Sequence, residues 1–353
     1  MRSFAPGFLE GLVIPHRVLS TVRTIGEYRG KEDLFKKQTP QALETLRQAA
    51  MIQSTESSNR IEGIIAPRER IAALVAEKTT PRNRSEQEIA GYRDVLNTIH
   101  ASFTHMEPRP NLVLQLHRDL YRFLPAEGGR WKITDNQITE TRPDGTRVVR
   151  FEPVPAWATP SAIDELHAGL RDAWAAEEID RLIVIAAYVL DFLCIHPFLD
   201  GNGRMARLLS LLLLYRAGYE VGRYVSLERV IEESRETYYD SLFRSSQGWH
   251  EGSHDLRPWL EYLLGVVLAA YREFERRAGE VSAPRGAKTQ LVLEAVRRLP
   301  REFRLRELED HSPGVTRDMV RVVLNRLKQD GRIECEGRGR GAIWRKMGTT
   351  WES

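Results

Sequence analysis

Apolar residues recur every three or four positions along most of this 353-residue chain, which is the spacing of amphipathic helices. The first clear helix is predicted to start with Thr39 as its N-cap and Pro40 in its first turn, and to end near Gly63. The apolar stripe of this helix consists of Leu43, Leu46, Ala50 and Ile61. Further helices are predicted over about 67–77, 85–102, 111–123, 160–176, 180–195, 202–218, 234–246 and 256–277.

The pattern changes between Trp131 and Phe151, where apolar and polar residues alternate as they do in strands. The two alternating stretches, WKITDNQIT and TRVVRFEP, are separated by RPDG, a turn sequence. This region therefore predicts a β-hairpin within an otherwise helical protein.

A linker is predicted at Arg276–Thr289, where Gly, Ser and Pro lie close together. Beyond it, residues 288–345 show three short helical patterns and then two strands joined by a Gly/Arg turn, which is typical of a winged helix. We therefore predict a mainly α protein with a helical region at 1–105, a helical core with its hairpin at 106–278, and a winged helix-turn-helix domain at 279–353.

Composition narrows the class of protein. A hydrophobic fraction of 42% and a charged fraction of 29% are those of a globular protein. No apolar run reaches the roughly 18 residues of a membrane span, and the N-terminus lacks the pattern of a signal peptide. The two cysteines, Cys194 and Cys335, do not have zinc-site spacing. We expect a cytoplasmic protein without a membrane anchor.

The net charge of +3 is unevenly distributed. Residues 284–346 hold sixteen Lys and Arg against nine Asp and Glu, so the positive excess belongs to the C-terminal part. This asymmetry predicts an acidic partner there, such as DNA.

The stretch HPFLDGNGRMAR, His196–Arg207, is harder to explain as structure alone. Gly201 and Gly203 let backbone N–H groups approach a ligand at the start of a helix, where the dipole favours anions. Arg204 and Arg207 are three residues apart, so they share one helix face and suit a chain of phosphates.

Two further side chains add chemistry to this loop. His196 titrates near neutrality and can accept a proton from an attacking hydroxyl. Asp200 is an acceptor next to the anion site, as a magnesium ligand should be. The combination of base, metal ligand and phosphate cradle predicts transfer of a phosphate-containing group.

The whole stretch resembles the signature of the Fic (Fido) family, HPFx(D/E)GNGRxxR, with every fixed position present. With the surrounding helices and hairpin, the resemblance covers roughly residues 35–270. It implies a protein adenylyltransferase that moves AMP from ATP, with Mg²⁺, to a Tyr, Thr or Ser hydroxyl of a target protein. It also implies a homodimer.

The resemblance assigns a role to each polar residue of the loop. His196 would be the general base and Asp200 the magnesium ligand, while Arg204 would grip the phosphates and Arg207 the γ-phosphate. Asn202 would hold the α-phosphate.

The remaining positions of the motif have supporting roles in the resemblance. The backbone at Gly201 and Gly203 would also hold the α-phosphate, and Phe198 would anchor the loop in the core.

The hairpin at Lys132–Phe151 resembles the family's flap, to which a target segment adds as an extra strand. Ile133 and Ile138 are flap candidates that would equally suit a core. Tyr238 and Tyr239 fall where the family often places an aromatic residue near adenine, although a YY pair on a helix is also typical of a core.

SSNRIEG resembles the family's inhibitory motif, (S/T)xxxE(G/N), matched by Ser58, Glu62 and Gly63. The resemblance implies that Glu62 pairs with Arg207 and keeps it from the γ-phosphate, with Ser58 in support. The same glutamate could instead assist removal of AMP, and the sequence does not decide between these roles.

The basic C-terminal domain offers Arg317 and Arg321 on its third helix and Arg338 and Arg340 on its wing as DNA-binding candidates. An interaction or dimerisation module with a solvated basic face is the competing interpretation. A DNA-binding regulator whose Fic-like domain senses nucleotide or modifies itself is accordingly the alternative function. Transfer of phosphate or another nucleotide in place of AMP is a further enzymatic alternative.

Overall fold

The protein was analysed as a computed structural model that describes residues 1–38, 40–141, 144–282, 287–312, 315–337 and 342–347. The chain divides into two compact units, Met1–Ala278 and Gly279–Ser353. The predicted mainly helical class is confirmed. None of the helices in the described ranges is both long and apolar enough to cross a membrane.

The first unit is built from helices with a single two-stranded sheet among its described residues. Short 3-10 turns lie at Phe103–His105, Ala156–Ala158 and Val221–Arg223. The helices are α1 (His16–Gln38), α2 (Pro40–Ile61), α3 (Arg68–Val75), α4 (Arg84–Ser102), α5 (Pro110–Leu120), α6 (Thr159–Ala176), α7 (Arg181–Ile195), α8 (Asn202–Arg216), α9 (Leu227–Glu233), α10 (Arg235–Ser246) and α11 (Arg257–Ser282).

Helices α7 and α8 form the centre of the core. Apart from Arg181 and Ile183, every residue of α7 is buried, because its sequence is apolar on all faces. Asp180 caps its N-terminus by accepting a hydrogen bond from the Leu182 N–H at 2.8 Å. The loop between α7 and α8 is therefore held between two buried helix ends.

Helix α2 lies against this centre and contacts α4, α8 and α9. The predicted stripe is buried at Leu43, Leu46, Ala50 and Ile61. Gly63 has a φ of +78°, the left-handed conformation that commonly follows a helix end. The predicted N-cap, Thr39, lies outside the described residues.

The predicted hairpin forms, with β1 (Ile138–Thr141) antiparallel to β2 (Arg147–Phe151). The expectation that strand extends back to Trp131 is wrong, because residues 131–137 adopt irregular structure. Here Lys132 bonds to the loop after α7: its backbone N–H donates to the Pro197 carbonyl at 2.8 Å. A tertiary contact thus takes the place of the strand pairing that the alternation of apolar and polar residues predicted for this stretch.

The second unit contains α12 (Ala287–Arg298), β3 (Glu302–Arg304), α13 (Leu305–Asp310), α14 (Arg317–Gln329), β4 (Ile333–Glu336) and β5 (Ile343–Lys346). The strands form an antiparallel sheet in the order β3-β5-β4. A small core, including Val296, Phe303, Leu308 and Leu324, holds the helices against one another. The sequence predicted the three helices and the last two strands but not β3.

Candidate active site

His196 ends α7 in a left-handed conformation, with φ 50° and ψ 60°, which is rare for a residue with a side chain. Its Nδ1 lies 3.2 Å from the Leu193 carbonyl oxygen. A carbonyl only accepts, so Nδ1 carries the proton and Nε2 keeps its lone pair. Burial lowers the pKa of His196 to about 4. The imidazole is therefore neutral at pH 7, as a general base must be.

Phe198 fixes the loop in the core, as predicted for an anchor. It is fully buried, and its ring stacks on His117 with centroids 3.6 Å apart and planes parallel to within 1°. His117 in turn accepts from the Gly129 N–H at 2.9 Å and bonds to the Asp200 carbonyl at 3.1 Å. His117 was not identified from the sequence, since it looked like one more polar residue on α5.

Asn202 has a different local role from the phosphate contact implied by the resemblance. Its side-chain oxygen accepts from the Phe198 N–H at 2.9 Å, and its amide donates to the Phe198 carbonyl at 2.8 Å. Both ends of the amide therefore close the loop on itself, and the side chain is 2% exposed.

The N-terminus of α8 has the geometry of the predicted anion site, whose binding of an anion stays a prediction. Gly201 is its N-cap and has a φ of +80°, a conformation that favours glycine. A Cβ on Gly201 would lie 3.2 Å from the Tyr121 ring. Unpaired N–H groups of the first helical turn and the helix dipole together attract a negative group here.

Asp200 stands at this helix end with its side chain 62% exposed. Burial acts to raise the pKa of the Asp200 carboxyl, but Arg204 and the Gly201 N–H outweigh it and lower the pKa. The carboxylate is thus charged and accessible to a cation. Among the described residues there is no group of three or more acidic, His or Cys side chains that could hold a metal by itself.

Arg204 lies deeper than a residue that grips a ligand is expected to lie. Its side chain is 1% exposed, and its Nη1 is 2.8 Å from Glu88 on α4. Its guanidinium also lies over the Tyr121 ring, 5.9 Å from the centroid. The structure therefore shows Arg204 holding α8 to α4 and setting the local charge around Asp200, 3.8 Å away.

Arg207 joins α8 to the end of α2, and this contact has the arrangement predicted for the inhibitory motif. Its Nε donates to the Ser58 hydroxyl at 2.9 Å, and Nη2 donates to the Ser58 carbonyl at 2.9 Å and to Glu62 at 2.8 Å. Burial opposes the charge of Arg207, but the Glu62 carboxylate outweighs it and raises the pKa.

The Glu62 carboxylate also lies over the start of α8. A Cβ built on Gly203 would be 2.3 Å from the Glu62 Oε1 and 3.3 Å from the Arg207 Nη1. Glu62 thus stands at the place where the helix end would receive an anion.

Tyr238 and Tyr239, the two candidates for a contact with adenine, lie in different environments. Tyr238 is 3% exposed and packs on Trp259, so it belongs to the core, whereas Tyr239 is 44% exposed beside the guanidinium of Arg235. Ile133 is 85% exposed, which excludes the core alternative for that residue.

In the second unit, the predicted DNA contacts on α14 are partly neutralised. Arg317 is 3.0 Å from Glu309 and Arg321 is 3.9 Å from Asp318. The wing candidates, Arg338 and Arg340, lie outside the described residues.

Comparison with known families relates this loop to one of them. Residues 107–214, which include the whole loop, match the model of the Fic/DOC family. The chain therefore resembles Fic proteins over this part of its length. Its fold is also similar to a Fic family protein from Desulfovibrio desulfuricans G20, with a TM-score of 0.62, 23% identity, and coverage of 96% of this chain and 98% of that one.

Two of the curated relatives that match this chain carry the name protein adenylyltransferase. The Drosophila persimilis protein is 25% identical over 278 residues, 74% of this chain and 49% of the relative. The Caenorhabditis elegans protein is 31% identical over 186 residues, 51% of this chain and 32% of the relative. This chain thus spans half or less of the length of these two relatives.

Proposed function

We propose that this chain is a protein adenylyltransferase that moves AMP from ATP to a hydroxyl of a target protein. The observation that carries the proposal is the position of His196, whose Nδ1 bonds to the Leu193 carbonyl and so leaves Nε2 to accept a proton, shortly before the Gly201-capped N-terminus of α8. The names of the relatives support AMP as the transferred group. Both the chemistry and the family therefore favour nucleotidyl transfer.

In the proposed reaction, His196 accepts the proton of the target hydroxyl on Nε2. The hydroxyl oxygen then forms a bond to the α-phosphorus of ATP, and the bond from that phosphorus to the bridging oxygen of pyrophosphate breaks. The first N–H groups of α8 stabilise the charge that develops on the α-phosphate. Asn202 and Phe198 keep those groups in place by closing the loop.

Asp200 fits a magnesium ion, since Mg²⁺ is commonly held by one or two carboxylates together with substrate phosphates. The charged, exposed carboxylate provides the protein ligand. When bound, the ion would neutralise phosphate charge.

The Glu62 contact supports a built-in inhibition of this activity. While Glu62 accepts from Arg207, the guanidinium is occupied and a carboxylate lies against the helix end that should receive phosphate. ATP would then bind without its γ-phosphate on Arg207, in a pose unsuited to transfer.

The hairpin supplies the place for a target. Strand β1 has β2 on one side, so an extended segment of the target could add to its other edge and present a hydroxyl to His196. The exposed Ile133 would lie beside such a segment. Homodimerisation remains a prediction.

DNA binding by the second unit is the second candidate. It is supported by the helix and sheet arrangement of that unit and by the exposed arginines of α14. The ion pairs of Arg317 and Arg321 reduce the free positive charge available to phosphate. We therefore rank it below the transfer reaction.

Labelled ATP tests the proposal. Wild type, Glu62→Gly and Glu62→Gly/His196→Ala are incubated with Mg²⁺, cell lysate and ATP labelled on the α- or the γ-phosphate. We expect strong α-label on protein only in Glu62→Gly. Transfer of γ-label alone would make the chain a kinase, and transfer of neither label would favour the DNA-binding regulator. Faster loss of AMP from a labelled target with wild type than with Glu62→Gly would reveal de-adenylylation.

A further inference from the structure

The chain around His196 is held by one short segment that precedes the hairpin. Residues 195–198 present four consecutive backbone carbonyls, and two residues of the segment before the hairpin, Lys132 and Asn136, donate to them. Lys132 donates from its backbone N–H to Pro197 at 2.8 Å and from its ammonium to Ile195 at 3.0 Å.

Asn136 binds the other two carbonyls. Its amide nitrogen lies 2.9 Å from the Phe198 oxygen and 3.3 Å from the His196 oxygen. Its own side-chain oxygen accepts from the Lys132 ammonium at 2.8 Å, so the two side chains support each other. We call Lys132 and Asn136 the carbonyl clamp.

The position of His196 explains why a clamp is needed. The last carbonyls of a helix have no partner within it, and α7 ends at Ile195. A left-handed residue with a side chain is strained and persists only where its surroundings hold it. The clamp supplies a donor to the last carbonyl of α7, that of Ile195, and restrains the three loop carbonyls that follow it.

A lysine at position 132 is unfavourable in itself, because burial of its ammonium group costs free energy. Lys132 is 3% exposed, and burial lowers its pKa to about 8. Its positive charge also acts to lower the pKa of His196, whereas Glu62 and Asp200 act to raise it. A buried ammonium at this point therefore affects both the geometry and the charge state of the base.

We propose that Lys132 and Asn136 are positioning residues for His196, which hold its backbone and imidazole in the orientation that transfer requires. This inference rests on the proposed function, because His196 must act as a base for its position to affect a rate. Neither side chain is expected to touch the nucleotide.

The first experiment uses the full chain with Glu62→Gly, so that transfer is measurable. We expect Lys132→Met and Asn136→Ala to lower kcat by about 10- to 100-fold, since small misplacements of a catalytic group have effects of that order. The KM for ATP should stay within about twofold, because nucleotide contacts are kept. Lys132→Arg, which retains a cationic donor, should recover part of kcat.

A second readout does not depend on activity. NMR titration of the His196 imidazole, assigned by its absence in His196→Ala, should show a higher pKa in Lys132→Met. The matched control is Arg130→Met. It removes the same charge two residues before Lys132, but from a side chain that is 77% exposed. It should leave both kcat and the His196 titration unchanged.

The outcomes separate the two proposals. If the Glu62→Gly parent transfers no α-label, the proposed function fails, while the titration still tests the clamp. An unchanged kcat in an active parent, or an unchanged His196 titration in Lys132→Met, overturns the clamp. If Lys132→Met does not fold, the same kinetics are measured on Lys132→Arg and Asn136→Ala. The clamp proposal is contradicted if Asn136→Ala loses no kcat, or if its KM for ATP rises by the same factor as its kcat falls.

Discussion

At the scale of single residues, the charge state and tautomer of His196 are set by where the residue lies in the fold. An unperturbed imidazole is half protonated near pH 6.5. Burial at the end of α7 lowers that pKa to about 4, and the Leu193 carbonyl selects the tautomer. The motif identified the residue, but its charge state depends on groups distant in sequence, such as Lys132 and Glu62.

This pKa predicts the acid limb of the pH–rate profile. His196 accepts a proton only while it is neutral, so activity falls as pH decreases through its pKa. Glu62 acts to raise this pKa, so for Glu62→Gly we expect kcat/KM to be retained at pH 6 and to halve at or below about pH 4. Initial rates of α-label transfer between pH 4 and 8 would measure it, after a check that the protein is folded at each pH. A midpoint near 6.5 would contradict the environment described for His196.

Glu62 offers a second prediction at this scale. In Glu62→Gln, an amide oxygen can still accept from Arg207, but the hydrogen bond loses the charge that roughly doubles its strength. We expect α-label transfer by Glu62→Gln to lie between wild type and Glu62→Gly. Rates of the three proteins at equal ATP would test this, and a wild-type rate in Glu62→Gly would exclude inhibition by Glu62.

At the scale of elements, the end of α2 is held by more than the contact between Glu62 and Arg207. Arg60, two residues before Glu62, pairs with Glu232 on α9 at 3.1 Å and also with Glu56. An exposed pair of this kind contributes little to global stability. Its position nevertheless ties the last turn of α2 to α9, so it bears on where Glu62 lies.

We therefore expect Arg60→Met and Glu232→Gln each to raise basal transfer a few-fold, less than Glu62→Gly does. The double variant should match the single ones, because both remove one contact. Arg47→Met is the matched control, since Arg47 lies on α2 and is 43% exposed. Additive effects of the two changes would show that they act through different contacts.

Helices α4 and α5 approach so closely that only glycine fits between them. A Cβ on Gly91 would lie 2.0 Å from the Leu120 carbonyl oxygen, which is backbone and cannot easily move. We expect Gly91→Ala to destabilise the protein by about 1–3 kcal/mol, the usual range for overpacking. Gly265→Ala, at an exposed helical position with open space, should instead stabilise it by about 0.5–1 kcal/mol. Urea unfolding of both variants would measure this, and equal stabilities would contradict the close contact.

The sequence predicted elements well where periodicity was strong. The predicted ends of α4, α6 and α7 lie within one residue of those observed. Capping side chains mark the starts of α4 and α7, and Pro160 lies in the first turn of α6. α1 and α9 were missed, as were β3 and the irregular stretch 131–137. These depend on packing partners far along the chain, which no local pattern records. For the same reason the motif named the loop residues, but not His117, Glu88 or the clamp that hold them.

At the scale of the whole molecule, buried ionisable groups connect distant parts of the first unit. Asp191 on α7 accepts hydrogen bonds from the Ser3 hydroxyl at 2.6 Å and from the Trp249 indole at 2.6 Å. Ser3 also bonds to His254 at 2.9 Å. The segment before α1 is thereby fastened five residues from His196, and burial raises the pKa of Asp191 to about 6.

These groups predict a loss of stability in acid. Burial lowers the pKa of His100 to about 3 and those of His117 and His254 to about 4. Burial also lowers the pKa of His196 to about 4, so at pH 5 the unfolded chain binds about four more protons than the folded chain on these four histidines, while the folded chain binds about one more on Asp191. The net difference of about three protons lowers the free energy of unfolding by about 4 kcal/mol for each unit that the pH falls. Urea unfolding at pH 6 and 5 would measure it, and a flat profile would contradict the burial of neutral imidazoles.

The contact between Glu62 and Arg207 lies within one chain, so its strength does not depend on how much of the protein is present. A tethered group meets its partner at an effective concentration fixed by the connecting structure, which for short tethers is in the millimolar range or above. Diluting or overproducing the protein leaves that value unchanged. ATP competing for Arg207 would therefore meet the same local concentration of Glu62 in every molecule. The active fraction would then depend on the nucleotide concentration and on the state of α2, and not on the copy number of the protein.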